Sequence, residues 1–130
     1  MYAKDFDKWN SVKKRIQSEN RQVYIRRGEI RWVSFGVNIG SEIDGKGASL
    51  TRPALVVHVI GAHLALIVPL STKTRESTGY IPFEWKGILQ SLCVHQVRVV
   101  SQKRILDRIG KISESRLSKY KGIISAFHSL

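Results

Sequence analysis

Arg52-Pro53-Ala54-Leu55-Val56-Val57-His58-Val59-Ile60-Gly61-Ala62-His63-Leu64-Ala65-Leu66-Ile67-Val68-Pro69-Leu70-Ser71-Thr72 is the stretch on which the fold turns. Residues 54–70 form the longest apolar run of the chain, but His58, Gly61 and His63 interrupt it, and it is too short for a membrane span. The reading that fits is two strands, 54–60 and 64–70, joined at Gly61-Ala62-His63. Near-continuous apolar strands are buried on both faces, as in a barrel or a covered sheet. If the two strands pair as a hairpin, Arg52 and Ser71 lie at the same end of it. Pro53 disfavours helix for Arg52, so the guanidinium enters the strand from an extended backbone.

Outward from this hairpin the pattern stays β. Residues 29–35 (Glu-Ile-Arg-Trp-Val-Ser-Phe) are rich in β-branched and aromatic residues. Residues 36–51 hold Gly36, Gly40, Gly45 and Gly47 among polar residues, which predicts a long, flexible loop. A polar loop is expected over 71–78. A short edge strand follows over 80–85, at an edge because of Pro82. Residues 91–100 read as one long strand. Ser101 is placed to cap a helical turn through Asp107, and Ser113 to cap a final helix striped by Leu117, Tyr120, Ile124 and Phe127. Before the barrel, residues 4–19 have helical spacing: Phe6, Trp9, Val12 and Ile16 share a face, Asp5 can cap the start, and lysines crowd the rest. That face is expected to pack on the main domain or across a dimer. The expected fold is mainly β (α+β): a small SH3-like antiparallel barrel of about five to seven strands with a C-terminal helix. Residues 1–24 are expected to be a helical extension and 25–130 the barrel domain.

The chain has 130 residues, one domain's worth, and its net charge is +12 from 22 Lys and Arg against 10 Asp and Glu. Such a domain attracts polyanions: nucleic acid, an anionic membrane surface or an acidic protein. The single cysteine, Cys93, cannot close an internal disulfide, which fits a reducing compartment. The charged N-terminus lacks an apolar signal core. Together these predict a soluble, cytoplasmic protein with no membrane partner. His58, His63, His95, His128 and Cys93 have no metal-ligand spacing, and no phosphate loop, nucleophile elbow or dinucleotide fingerprint is present. Neither a metal nor a cofactor is expected.

What remains is two polar clusters at the ends of apolar strands. The first runs from Asn38-Ile39-Gly40-Ser41-Glu42 to Arg52-Pro53. The second is Ser71-Thr72-Lys73-Thr74. A guanidinium fork matches phosphate oxygens with two parallel hydrogen bonds. RNA cleavage without metal needs a base for the 2′-OH, charge stabilisation on the phosphorus oxygens and an acid for the leaving 5′-oxygen. Glu42, Arg52, Ser71, Thr72 and His95 supply such groups, although an Arg before a Pro and a Ser-Thr pair after a strand are also ordinary loop residues.

Several segments occur in an order that makes them recognisable: Gly28-Glu29-Ile30-Arg31-Trp32-Val33, Ile39-Gly40-Ser41-Glu42, Arg52-Pro53-Ala54-Leu55-Val56-Val57, Val68-Pro69-Leu70-Ser71-Thr72 and His95-Gln96-Val97-Arg98. The chain resembles the MazF/PemK/Kid toxins over about residues 26–125, including Arg108-Ile109-Gly110-Lys111-Ile112 before the last helix. Asp7-Lys8-Trp9-Asn10 through Lys14 resembles the helical arm of a PemK-like subgroup. The resemblance implies the plasmid-maintenance toxin barrel, usually a homodimer. It implies sequence-specific cleavage of single-stranded RNA to a 2′,3′-cyclic phosphate, and silencing by an acidic, partly disordered antitoxin that threads over the RNA groove.

Carried over by position, Arg52 matches the family's catalytic arginine, Ser71 its usual threonine, and Thr72 the next position. Glu42 matches the glutamate of a Gly-x-Glu loop, with Ser41 where some members have His. Gln96 matches a polar groove residue, with Arg98 close by in sequence. His95 departs from the pattern, since several members carry an acidic residue there, and Cys93 stands where some carry an Arg. His95 is then either an acid–base group, because an imidazole titrates near neutral pH, or a structural strand histidine. Lys46, Lys73 and Arg75 are candidate backbone clamps. Trp32, Trp85, Tyr80 and Phe83 are candidate stacking rings that equally suit a core. Two other readings stay open: a non-enzymatic RNA-binding module, and a toxin that poisons DNA gyrase on the same barrel.

Overall fold

The computed structural model describes residues 3–20, 23–74 and 77–129. The hairpin is present. β2 (Thr51–Ile60) and β3 (Leu64–Ser71) pair antiparallel with Ala54 opposite Pro69, and Gly61 opens the turn with φ +60°. Side chains on β2 alternate between two cores, as a strand covered on both faces must. Leu55 and Val57 join Val68, Leu70, Phe83, Leu92 and the helix α2 (Glu114–Phe127) on one side. Ala54 and Val56 join Val33, Phe35, Ala65, Ile67 and Ile105 on the other.

β1 (Glu29–Ser34) lies beside β2, and β7 (Ile105–Lys111) lies beside β1. β4 (Tyr80–Trp85) and β5 (Ile88–Cys93) form a second hairpin through Lys86 and Gly87, both left-handed (φ +52° and +73°) as a tight two-residue turn requires. The seven strands run β4-β5-β3-β2-β1-β7, with β6 (Arg98–Ser101) also on β3. β3 therefore serves two sheets. Leu64 to Ile67 pair with β6, whereas Leu70 and Ser71 pair with β5. The result is the expected α+β barrel with a helix at each end of the chain.

Two expectations fail locally. Residues 91–100 are not one strand: Val94–Gln96 form a 3-10 turn between β5 and β6, burying Val94 and turning His95 and Gln96 toward the loop before β2. The helical turn after Ser101 covers only Gln102–Arg104, and Ile105–Lys111 is strand because it completes the edge of β1. There Arg108 reaches Glu29 at 3.6 Å, and Glu29 also holds Arg31 at 3.2 Å, so an otherwise costly buried carboxylate is paired twice.

The N-terminal helix α1 (Phe6–Ser18) is capped by Asp5, whose carboxylate accepts from the Lys8 backbone N–H at 2.9 Å. Its apolar face lies on the barrel domain. Trp9 and Val12 are buried with Val37 and Leu50, while Phe6 stays half exposed. Among the described residues no helix is long and apolar enough to cross a membrane.

Candidate functional site

The site begins with the loop between β1 and β2, residues 36–50. It is glycine-rich as read, but it is fastened rather than loose. Asn38 donates its side-chain amide to the carbonyls of Phe35 (3.0 Å) and Ile43 (2.9 Å). Asp44 accepts the Asn38 backbone N–H at 2.7 Å. Gly45 donates to the Gly36 carbonyl at 2.8 Å. A Cβ on Gly45 would stand 1.7 Å from the Leu50 carbonyl oxygen, so the loop closes on itself only with glycine there. The sequence did not single out Asn38 and Asp44 as the hubs of this loop; an Asx side chain six residues from its partner gives no local signal.

Arg52 enters from β2. Its Nε donates to the Asp44 carbonyl at 2.9 Å, and one terminal nitrogen reaches the Leu70 carbonyl at 3.4 Å. The guanidinium is thus fixed between the loop and the end of β3. Burial lowers its pKa from the ordinary value, opposed by the nearby Cys93, Asp44 and Tyr80; it stays a cation, as arginine does in proteins. Arg52 and Thr72 line one cleft of about 370 Å³ together with Lys46, Trp32 and Gln90. Thr72 is exposed there. Trp32 is 41% exposed, the most open of the four candidate rings, whereas Phe83 is fully buried in the core. Gln90, on β5, was not anticipated.

Ser71 differs from Thr72. It is buried, and its hydroxyl accepts the Lys73 backbone N–H at 3.2 Å, which shapes the turn out of β3. The Lys73 side chain is exposed, and its carbonyl accepts from Ser91 at 2.7 Å. Arg75 lies outside the described residues.

The remaining candidates sit in a second cleft of about 610 Å³, walled by the other limb of the same loop and by the 94–96 turn. Glu42, His95, Gln96 and Arg98 line it. Glu42 accepts the Ile39 N–H at 2.8 Å from within its own turn. Gln96 accepts from the Ile43 N–H at 3.2 Å and donates to the Ser41 carbonyl at 3.0 Å, so it ties the 94–96 turn to the loop. The His95 ring packs 4.8 Å from that of Tyr80 and against Gly79, where an added Cβ would fall 2.2 Å from Nδ1. That Nδ1 is buried with no hydrogen-bond partner among the described residues. The expected constellation is therefore divided: Arg52, Thr72 and Lys46 face one cleft, Glu42, His95, Gln96 and Arg98 face the next, and Ser71 supports the wall.

One cleft of this basic barrel thus holds a guanidinium and an exposed hydroxyl, and the other a carboxylate and an imidazole. Residues 26–127 match the family described as PemK-like, MazF-like toxins of type II toxin–antitoxin systems, and the chain belongs to that family. The fold agrees with solved structures of low identity. MazF of Deinococcus radiodurans superposes with a TM-score of 0.63 at 16% identity, over 83% of this chain and 100% of that one. An endoribonuclease from a mycobacterial species, solved with its cognate antitoxin, gives 0.59 at 12% identity, over 82% and 97%. The Mycobacterium tuberculosis toxin MazF-mt6 gives 0.57 at 12% identity, over 78% and 97%. Comparison with curated proteins yields no match.

Proposed function

We propose that this toxin cleaves single-stranded RNA by attack of a ribose 2′-oxygen on its own phosphate. The observation that carries the reading is Arg52 held between Asp44 and Leu70 in the cleft that Thr72 also lines. In this reading the Arg52 fork takes two non-bridging oxygens of the scissile phosphate and opposes the charge that grows on them. Thr72 donates to the same phosphate. Lys46 neutralises a neighbouring one.

The 2′-oxygen forms its bond to phosphorus as the bond to the 5′-oxygen breaks. One proton leaves the 2′-OH for a base and one reaches the 5′-oxygen from an acid, giving a 2′,3′-cyclic phosphate and a free 5′-OH. The nucleophile belongs to the substrate, so no cofactor is required. Among the described residues lining the two clefts, Glu42 supplies a carboxylate and His95 an imidazole, and the proton steps are assigned to them. Ser71 acts by holding the turn. Gln96, Arg98, Lys73, Arg75 and the rim ring Trp32 meet the bases and flanking phosphates, which sets sequence preference. An acidic antitoxin suits the +12 surface, and a homodimer is the expected assembly.

The deciding experiment incubates the full chain with a long single-stranded RNA in EDTA and maps the ends. Discrete cuts ending in cyclic phosphate, lost in Arg52→Ala, are the expected result. Binding without cutting would mark a non-enzymatic RNA-binding module. Growth arrest undiminished by Arg52→Ala would point to a protein target such as gyrase and end the nuclease reading.

A further inference from the structure

We infer that the N-terminal arm is a brace that sets the shape of the 36–50 loop, with Lys4 and Lys8 as positioning residues for the cleft of Arg52. The inference deepens the RNA-cleavage reading, and its consequence for catalysis rests on that reading. The family match begins at residue 26, so the arm lies outside the matched barrel.

The contacts fall on the loop one after another. Lys4 donates its ammonium to the carbonyls of Asn38 and, at 2.9 Å, Gly40. The same ammonium lies 3.4 Å from the Asp44 carboxylate, with both side chains largely covered. Lys8 donates to the Gly47 carbonyl at 2.9 Å. The Trp9 ring fills the space that a side chain on Gly36 would need: an added Cβ would come within 2.1 Å of the ring. Val12 packs with Val37 and Leu50, the two ends of the loop. The far end of the arm is pinned as well, because Lys103 donates to the Gln17 carbonyl at 2.9 Å and Arg104 lies 5.3 Å above the Trp9 ring.

Asp44 joins this brace to the site. Its carboxylate pairs with Lys4 while its carbonyl holds Arg52 Nε. Gly47, which Lys8 holds, lines the cleft of Arg52 and Thr72. A loop of glycines loses much freedom when it is ordered. With the arm docked, that ordering is complete before RNA arrives, and substrate binding does not have to supply it. Neither lysine touches the cleft through its own ammonium; each works through the loop.

The test compares Lys4→Met, Lys8→Met and the double variant with the full chain. Lys14→Met is the control, because it removes one exposed charge from the same helix without touching the loop. Amide hydrogen exchange, measured without RNA, is expected to speed up by about tenfold or more across 36–50 in the double variant, with β2 and β3 unchanged. In cleavage assays KM is expected to rise by about fivefold with kcat within about twofold. Lys4→Arg should restore both, and Lys14→Met should alter neither. Unchanged loop exchange in the double variant overturns the brace. A loosened loop with unchanged KM overturns its link to the site. Because the exchange measurement needs no RNA, it decides the brace even if the wild-type chain cuts nothing.

Discussion

Arg52 Nε and the carbonyl of Asp44 lie 2.9 Å apart, so the guanidinium on β2 is aimed by a loop that ends only a few residues before it. The arm, through Lys4 on the Asp44 carboxylate, and the strand, through Arg52 on its carbonyl, meet at that one loop residue. Changes at some distance from the cleft should therefore register in it.

Ser71 and Thr72 are neighbours with different work, and substitution should separate them. Ser71→Ala removes a buried acceptor from the Lys73 N–H and is expected to cost about 1 kcal/mol, roughly 3–5 °C in Tm. Thr72→Val removes an exposed hydroxyl from the Arg52 cleft and should leave Tm within about 1 °C while cleavage falls by about tenfold or more. Thermal melts beside timed RNA digests check both, and equal effects at the two positions would dissolve the distinction.

His95 should be visible in the rate of cutting. If its imidazole exchanges a proton in the reaction, His95→Gln lowers the rate by about a hundredfold. Gly79→Ala, which keeps the imidazole but pushes on the ring and strains a residue at φ +92°, should slow cutting less than His95→Gln does. A rate in His95→Gln within about twofold of the parent takes His95 out of the chemistry and leaves it as the packing partner of Tyr80.

Gly45 marks where the loop has no room. Gly45→Ala forces a methyl group onto the Leu50 carbonyl, and the 36–50 loop must open to accept it. Cleavage should fall by more than about tenfold, while far-UV circular dichroism stays that of the parent. Gly40→Ala, where the space is open, should cost only the strain of φ +55°, about 1 kcal/mol, and should cut more nearly like wild type.

Arg104 is a cation held at some expense. Burial chiefly, and Arg98 secondarily, lower its pKa, and one terminal nitrogen is buried without a hydrogen-bond partner among the described residues. Arg104→Met keeps contact with Trp9 and removes the desolvated charge. It should be stabilising by about 1 kcal/mol, read as a Tm increase of roughly 3–5 °C. A drop in Tm would show that the stacking of Arg104 over Trp9 outweighs the desolvation.

The sequence makes the β2–β3 hairpin plain because both strands are buried on both faces and glycine marks the turn. The pairing then puts Arg52 and Ser71 at one end of it without further information, but that Ser71 is buried while Thr72 opens into the cleft of Arg52 is seen only in the structure. β7 is another matter. Ser101 reads as the cap of a helical turn through Asp107, and only the empty edge of β1, with Glu29 to receive Arg108, turns residues 105–111 into strand. The break at 94–96 is equally hidden, since Val94-His95-Gln96-Val97 has nothing against a strand locally. It bends because Gln96 is tied to the loop across the chain at Ser41 and Ile43. The division of the site into two clefts follows from that bend. The docking of the arm was legible as an apolar face, but the carbonyls that Lys4 and Lys8 would find were not.

β3 contributes its first half to one sheet and its last two residues to the other. Thr72 follows directly from that corner, while Arg52 hangs from the neighbouring strand. A slip of one residue between β2 and β3 would turn Ser71 out of the wall, and a slip of two would carry Thr72 about 7 Å along the strand. Packing at Val68 and Leu70 thus doubles as alignment of the chemistry, and a repacked core that still melts normally can be expected to lose cutting speed long before it loses shape.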